Sequence, residues 1–164
     1  GWLKVKVLFE IKTLIEKVNK LKSDSNKIVF TNGCFDILHK GHLTYLHQSK
    51  DLGDYLIVGL NSDDSVKLLK GSDRPINNQN VRAKNLLRLD YVDAVIIFNE
   101  ETPRALIKSL LPDILTKGGD YKKNQIAGSN TVTKNGGKVI ILPHVKGYST
   151  TAIINNQGKG LTEE

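Results

Sequence analysis

The chain is poor in three things, and each shortage removes a class of function. Only one of its 164 residues is cysteine, Cys34. That excludes a disulfide framework and is the usage expected in a reducing cytoplasm. Apolar runs are short: none approaches the ~20 residues of a membrane-spanning helix, and the first residues lack the pattern of a secretory signal. Aromatic residues amount to 6%, so platforms for stacking nucleic-acid bases are few. Internal repeats, linkers and low-complexity stretches are also missing.

The composition that remains is that of an ordinary globular protein, 39% hydrophobic and 25% charged. Its length fits one domain with a single core and is too small for a synthetase with a tRNA-binding appendage. Lysine and arginine exceed aspartate and glutamate by 24 to 17, a formal charge of +7. These cations are spread along the chain rather than clustered, so small polyanionic substrates are a simpler partner than nucleic acid.

Apolar residues at Ile11, Leu14, Ile15, Val18 and Leu21 fall at helical spacing, which predicts an amphipathic helix over Phe9 to Leu21 laid against the domain and available to pair with a second copy in a homodimer. Short Val- and Ile-rich runs then predict strands at Lys27 to Thr31, Tyr55 to Leu60, Ala94 to Phe98, Ile114 to Thr116 and Lys138 to Leu142. Helical patterns separate them, at His42 to Leu52, Asp63 to Lys70, Asn80 to Leu89, Thr102 to Leu110 and within Gln125 to Asn135. Thr102-Pro103 reads as a cap followed by proline at the first helical position. Strict alternation of this kind predicts an α/β fold, a three-layer Rossmann-like parallel sheet of about five strands with helices on both faces. The expected organisation is a helical extension over 1–26, the α/β domain over 27–157 and a tail over 158–164.

Ligands of such sheets gather beyond the carboxyl ends of the strands. The first strand runs into Thr31-Asn32-Gly33-Cys34-Phe35-Asp36-Ile37-Leu38-His39-Lys40-Gly41-His42, where a helix begins. Its free backbone N–H groups and positive end suit an anion. His39 and His42, three apart, can present both rings to one side, and Gly41 lets a ligand approach the main chain. Two imidazole donors there suit a phosphate gaining charge in a transition state. Two other readings use the same residues: zinc ligation with Cys34 and Asp36, which wants three or four ligands in tetrahedral geometry, and simple capping of a surface helix. Asp36 suits an Asx-type role, orienting its loop through backbone N–H groups.

This stretch resembles the HxGH motif of the nucleotidyltransferase superfamily, which includes cytidylyltransferases, pantetheine-phosphate adenylyltransferase and the catalytic cores of class I aminoacyl-tRNA synthetases. Four further segments extend the likeness: GLNSDDSV, LKGSDRP, PDILTKGGDY and LPHVKGYSTTAII. Over about Lys27 to Asn155 the combination is most similar to the adenylyltransferase domains of bacterial ADP-heptose synthases, in the form that stands without the sugar kinase. The resemblance implies that His39, His42 and Lys70 act on the phosphates. It also implies that Asn32, Gly33, Cys34, Phe35, Gly41, Asn61, Arg82, Lys117, Gly118, Gly119, Asp120, Gly147, Ser149 and Thr150 bind the nucleotide, the last two holding the β- and γ-phosphates. Tyr148 stands where many relatives have Ile, and His144 where glycerol-phosphate cytidylyltransferases have Arg.

From residue chemistry alone, Lys70 is equally a dipole partner at a helix end, Arg82 a solvated surface charge, Asn61 or its neighbours part of a helix cap, and Ser149 or Thr150 an N-cap. The implied reaction transfers AMP from ATP to D-glycero-β-D-manno-heptose 1-phosphate and releases pyrophosphate, for lipopolysaccharide core synthesis. Mg2+ would bridge phosphate oxygens and keep most of its waters, without a protein cage. The rival enzyme reading transfers a cytidylyl or adenylyl group to glycerol 3-phosphate, FMN or pantetheine phosphate. A rival of another class is a nucleotide- or RNA-binding regulator, whose binding would fall steeply with salt.

Overall fold

A computed structural model describes residues 7–119 and 122–143. The elements in chain order are β1 (Val7–Leu8), α1 (Ile11–Ser23), β2 (Ile28–Gly33), α2 (Lys40–Asp51), β3 (Tyr55–Asn61), α3 (Asp63–Lys70), α4 (Gln79–Leu87), β4 (Ala94–Phe98), α5 (Arg104–Leu110), β5 (Ile114–Gly118), α6 (Ser129–Lys134) and β6 (Lys138–Leu142), with one 3-10 turn at Lys123–Gln125. All five expected strands form. The sixth, β1, adds two residues to the edge of the sheet by pairing Val7 with Ala94 and Leu8 with Val95.

Every strand pair is parallel, and the strand order is β1-β4-β3-β2-β5-β6. The chain therefore builds outward from β2 to β3 and β4, then returns to lay β5 and β6 on the other side of β2. That reversal makes the gap above β2 and β5 the topological switch point, where the loops on the two sides diverge and leave a crevice. β2 is longer than its apolar run suggested, because the ladder carries Asn32 and Gly33 opposite Gly59 and Leu60.

Alternate residues of each strand enter two cores. Ile28 and Phe30 face a cluster with Leu14, Val18, Ile57, Ile107 and Val132, which places α1, α5 and α6 on that side. Val29 belongs to the opposite cluster with Tyr45, Leu46, Leu56, Ala83 and Leu86, under α2 and α4. Leu14 and Val18 are at most 1% exposed, so the centre of the apolar stripe on α1 packs on the chain's own core. Lys22 donates from α1 to the carbonyl of Leu111 just past α5, where a helix end favours a cation.

Pro103 is the N-cap of α5 rather than its first helical residue: its ψ of 24° is not helical, and the helix proper starts at Arg104. The sequence also predicts a last helical turn over Thr151 to Asn155, which lies outside the described residues.

Candidate active site

His39 is the N-cap of α2. Its Nδ1 accepts the backbone N–H of Gly41 at 3.1 Å and that of His42 at 3.3 Å, replacing the hydroxyl or carboxylate that usually satisfies the first turn. An imidazole nitrogen that accepts carries no proton, so the neutral ring holds its hydrogen on Nε2. Capping, one of the readings the sequence offered, is thus done by Nδ1 alone. His42 stacks on His39, centroids 3.8 Å apart at 22°, and takes the edge of Phe35 at 5.3 Å on another side. Both imidazoles are buried, 7% and 4% exposed.

Phe35 reaches this position from a left-handed backbone, φ 46°, a conformation that a bulky residue adopts only where its surroundings hold it. Asp36 is one of those surroundings, though not as a local Asx turn. Its carboxylate accepts the N–H of Ile76 at 2.7 Å and of Asn77 at 2.8 Å, and Arg74 Nε lies 3.3 Å away. Asn77 returns a bond to the Asp36 carbonyl at 2.6 Å. The link joins loops some 40 residues apart and engages both carboxylate oxygens of Asp36. Among the described residues no group of three or more His, Cys, Asp or Glu side chains is placed to hold a metal ion.

Arg82 is fully buried, at 0% exposure, which overturns the solvated-charge reading. Nη1 donates to the carbonyls of Cys34 and Asn61, each at 2.8 Å, Nε to that of Asn77 at 2.9 Å, and Nη2 to Asp63 Oδ1 at 2.9 Å. One planar guanidinium thus joins the ends of β2 and β3, the start of α3 and the loop before α4. The geometry gives it a scaffold role.

A cavity of about 420 Å³ opens at the switch point, lined by Asn32 and Gly33 at the end of β2 and Cys34 just past it, Asn61 at the end of β3, Leu69 and Lys70 at the end of α3, and Lys117 on β5. Its remaining walls are Glu101, Thr102 and Pro103 after β4 and Gln125, Ile126 and Ala127. Six expected site residues meet here: Asn32, Gly33, Cys34, Asn61, Lys70 and Lys117. Two lysines on an otherwise largely apolar lining suit a ligand with an apolar body and an anionic end.

The rings of His39 and His42 are not walls of this cavity, nor are Phe35, Gly41, Arg82, Gly118 or Gly119. Gly119 takes φ 102° and donates its N–H to Leu142 O at 3.0 Å, a turn that other residues resist. Asn61 donates to Ser65 Oγ at 3.0 Å, while Ser62 caps α3 through the N–H of Ser65 at 3.1 Å. Asp120, His144, Gly147, Tyr148, Ser149 and Thr150 lie outside the described residues.

The residues after β4 were absent from the expected site. The rule that found the others, looking just beyond each parallel strand, also reaches Glu101 to Pro103.

An HxGH helix start and two lysines at the carboxyl edge of a doubly wound parallel sheet are the construction of a nucleotidyltransferase. Residues 30–156 match the family model described as cytidylyltransferase-like, and the chain belongs to that family. It is 53% identical over 142 residues to the bifunctional protein HldE of Nitrosococcus oceani, 87% of this chain and 30% of that protein. With the bifunctional protein HldE of Hyphomonas neptunium it shares 49% identity over 153 residues, 93% of this chain and 32% of that one. The chain thus spans about a third of the length of these curated relatives.

Among solved structures, a lipopolysaccharide core biosynthesis protein from Thermoplasma volcanium superposes with a TM-score of 0.60 at 32% identity, covering 73% of this chain and 97% of that one. A pantoate-beta-alanine ligase from Francisella tularensis shares the fold, with a TM-score of 0.60 at 18% identity over 93% of this chain and 76% of its own. No helix among the described residues is long and apolar enough to cross a membrane.

Proposed function

We propose that this chain transfers AMP from ATP to a sugar 1-phosphate, D-glycero-β-D-manno-heptose 1-phosphate, forming ADP-heptose and pyrophosphate in the cytoplasm. The observation that carries the proposal is the start of α2, where the backbone cap fixes one imidazole as an Nε2 donor and a second ring is stacked on it. Identity near one half with HldE proteins supports the choice of substrate.

The acceptor phosphate is already an anion, so the reaction needs no strong base and no covalent nucleophile. An acceptor oxygen attacks the α-phosphorus in line, a P–O bond to it forms, and the bond to the leaving pyrophosphate breaks. Catalysis then comes from positioning and from donors aimed where charge builds. His39 and His42 would donate to the α-phosphate, and Lys70 and Lys117 would draw anionic groups into the cleft. Ser149 and Thr150 would hold the departing pyrophosphate. Mg2+, when bound, neutralises phosphate charge. A hard cation that arrives on the nucleotide and keeps its waters fits a chain whose described residues offer no cage.

The test is pyrophosphate release with ATP or CTP against a panel of phosphates. Release with ATP and heptose 1-phosphate is the expected result. Turnover only with glycerol 3-phosphate, FMN or pantetheine phosphate replaces the acceptor, and preference for CTP replaces the nucleotide.

A further inference from the structure

Beneath the paired imidazoles, four hydroxyl side chains from three elements meet in the core. Thr31 on β2, Ser49 on α2 and Thr116 on β5 are fully buried, and Tyr45 on α2 is 9% exposed. Their bonds are Thr31 Oγ1 to the Thr116 carbonyl at 3.1 Å, Thr31 Oγ1 with the Tyr45 hydroxyl, Tyr45 hydroxyl with Thr116 Oγ1 at 3.3 Å, and Ser49 Oγ with Thr116 Oγ1 at 2.9 Å.

Each hydroxyl has one proton to give, and these four bonds are satisfied together by one direction of donation. A carbonyl can only accept, so the Thr31 proton goes to Thr116 O. Tyr45 must then donate to Thr31, Thr116 to Tyr45, and Ser49 to Thr116. All four protons are used once, and the run ends on the backbone of β5. Aligned hydrogen bonds in a dry interior polarise and strengthen one another.

His42, Tyr45 and Ser49 lie three and four residues apart, on one face of α2. Two hydroxyls one turn apart fix the rotation and the axial position of the helix that carries His39 and His42. The far end of the run is on the strand that continues into Lys117 and Gly118, and the Tyr45 ring lies against Gly118, where an added Cβ would come within 3.4 Å of it. A side chain that bonds both β2 and β5 while standing one turn from His42 therefore sets the spacing between the imidazoles and Lys117 in the cavity wall.

We propose that Tyr45 is a positioning residue for nucleotidyl transfer, acting through the Ser49-Thr116-Tyr45-Thr31 hydroxyl chain on the placement of His39 and His42. This rests on the transfer reaction proposed above, so its test has an arm that needs no turnover. In the full chain, Tyr45→Phe keeps the ring against Gly118 and removes the central hydroxyl. Its kcat for pyrophosphate release from ATP and heptose 1-phosphate should fall roughly ten- to a hundred-fold with KM for ATP within about twofold, as expected when reacting groups are misplaced rather than removed. Thr31→Val should act in the same direction.

Long-range 1H–15N spectra of the imidazoles should show His39 as the Nε2–H tautomer in the unmodified chain and altered His39 and His42 signals in Tyr45→Phe. Unchanged imidazole spectra overturn the inference whether or not the unmodified chain turns over. A lowered Tm with unchanged kcat also overturns it, since that is what a purely structural hydroxyl would give. Should Tyr45→Phe fail to fold, Ser49→Ala removes only the outermost donor, and the same spectra decide.

Discussion

His39 caps the helix on which His42 stands: Nδ1 of the first accepts the backbone N–H of the second at 3.3 Å, and the two rings stack at 3.8 Å. Each function of His39 can therefore be removed without the other. Asparagine is a good N-cap but does not reproduce the distal donor, whereas alanine does neither. His39→Asn should keep thermal stability close to that of the unmodified chain. His39→Ala should lose about 1 kcal/mol, the usual cost of an N-cap. Both should lose on the order of a hundred- to a thousand-fold in turnover, the scale for deleting a donor to developing charge. His42→Ala should show the same kinetic loss. Normal turnover in His39→Asn would reduce His39 to a cap. Denaturation midpoints and pyrophosphate release measure the two effects separately.

Arg82 makes a different prediction from the one its chemistry suggests. Its guanidinium bonds three backbone carbonyls and Asp63 with no exposure to solvent, so substitution should act first on stability. Arg82→Ala strands buried acceptors and should cost roughly 3–5 kcal/mol, the scale for breaking a buried charged pair. Arg82→Lys should be nearly as damaging, because an ammonium cannot reach acceptors spread around a planar fork. Urea unfolding provides the measurement. An unchanged midpoint with weakened ATP binding would return Arg82 to the ligand.

Asp36 joins the loop before α2 to the one before α4 through the N–H groups of Ile76 and Asn77. Asp36→Ala should open those two amides to exchange and destabilise the fold by about 1 kcal/mol, since two part-buried donors lose a charged acceptor. Hydrogen exchange at Ile76 and Asn77 tests the link directly, and continued protection of both amides would show that another group holds the loop.

The elements were legible because their patterns differ: short continuous Val- and Ile-rich runs such as Ile28-Val29-Phe30 mark strands covered on both faces, and a helical period gathers Leu14 and Val18. The carboxyl-edge rule then placed Asn32, Asn61, Lys70 and Lys117 around one cleft. Strand order could not be read this way, since alternation fixes that strands are parallel but not which are neighbours. β1 was missed because two residues show no period. The surface reading of Arg82 failed for a physical reason: an arginine is normally at the surface, and nothing local announces three carbonyls brought together from β2, β3 and a loop. The hydroxyls of Thr31, Tyr45, Ser49 and Thr116 escaped because residues 14 to 85 positions apart in sequence become one network only when α2 is laid on the sheet.

Tyr55 provides a last test, of the core rather than the site. It stands at the start of β3 with 6% exposure, and burial, followed by the nearby Asp93 carboxylate, raises its phenol from 10.0 to about 12. Asp93 is held in place as a charge by the N–H of Leu56 at 2.8 Å and Lys50 Nζ at 2.6 Å. In the unfolded chain the phenol ionises near its ordinary value, while in the folded chain it keeps its proton. Between those two values the unfolded state therefore binds fewer protons, and stability falls as pH rises. The contribution is fully present below pH 10 and is lost towards pH 12. Other tyrosines and lysines titrate in the same range, so the quantity to measure is the difference in unfolding free energy between the unmodified chain and Tyr55→Phe. That difference should be constant at neutral to mildly alkaline pH and then shift against the unmodified chain in the upper window. A difference that stays flat throughout would mean that the phenol ionises as easily inside the fold as outside it.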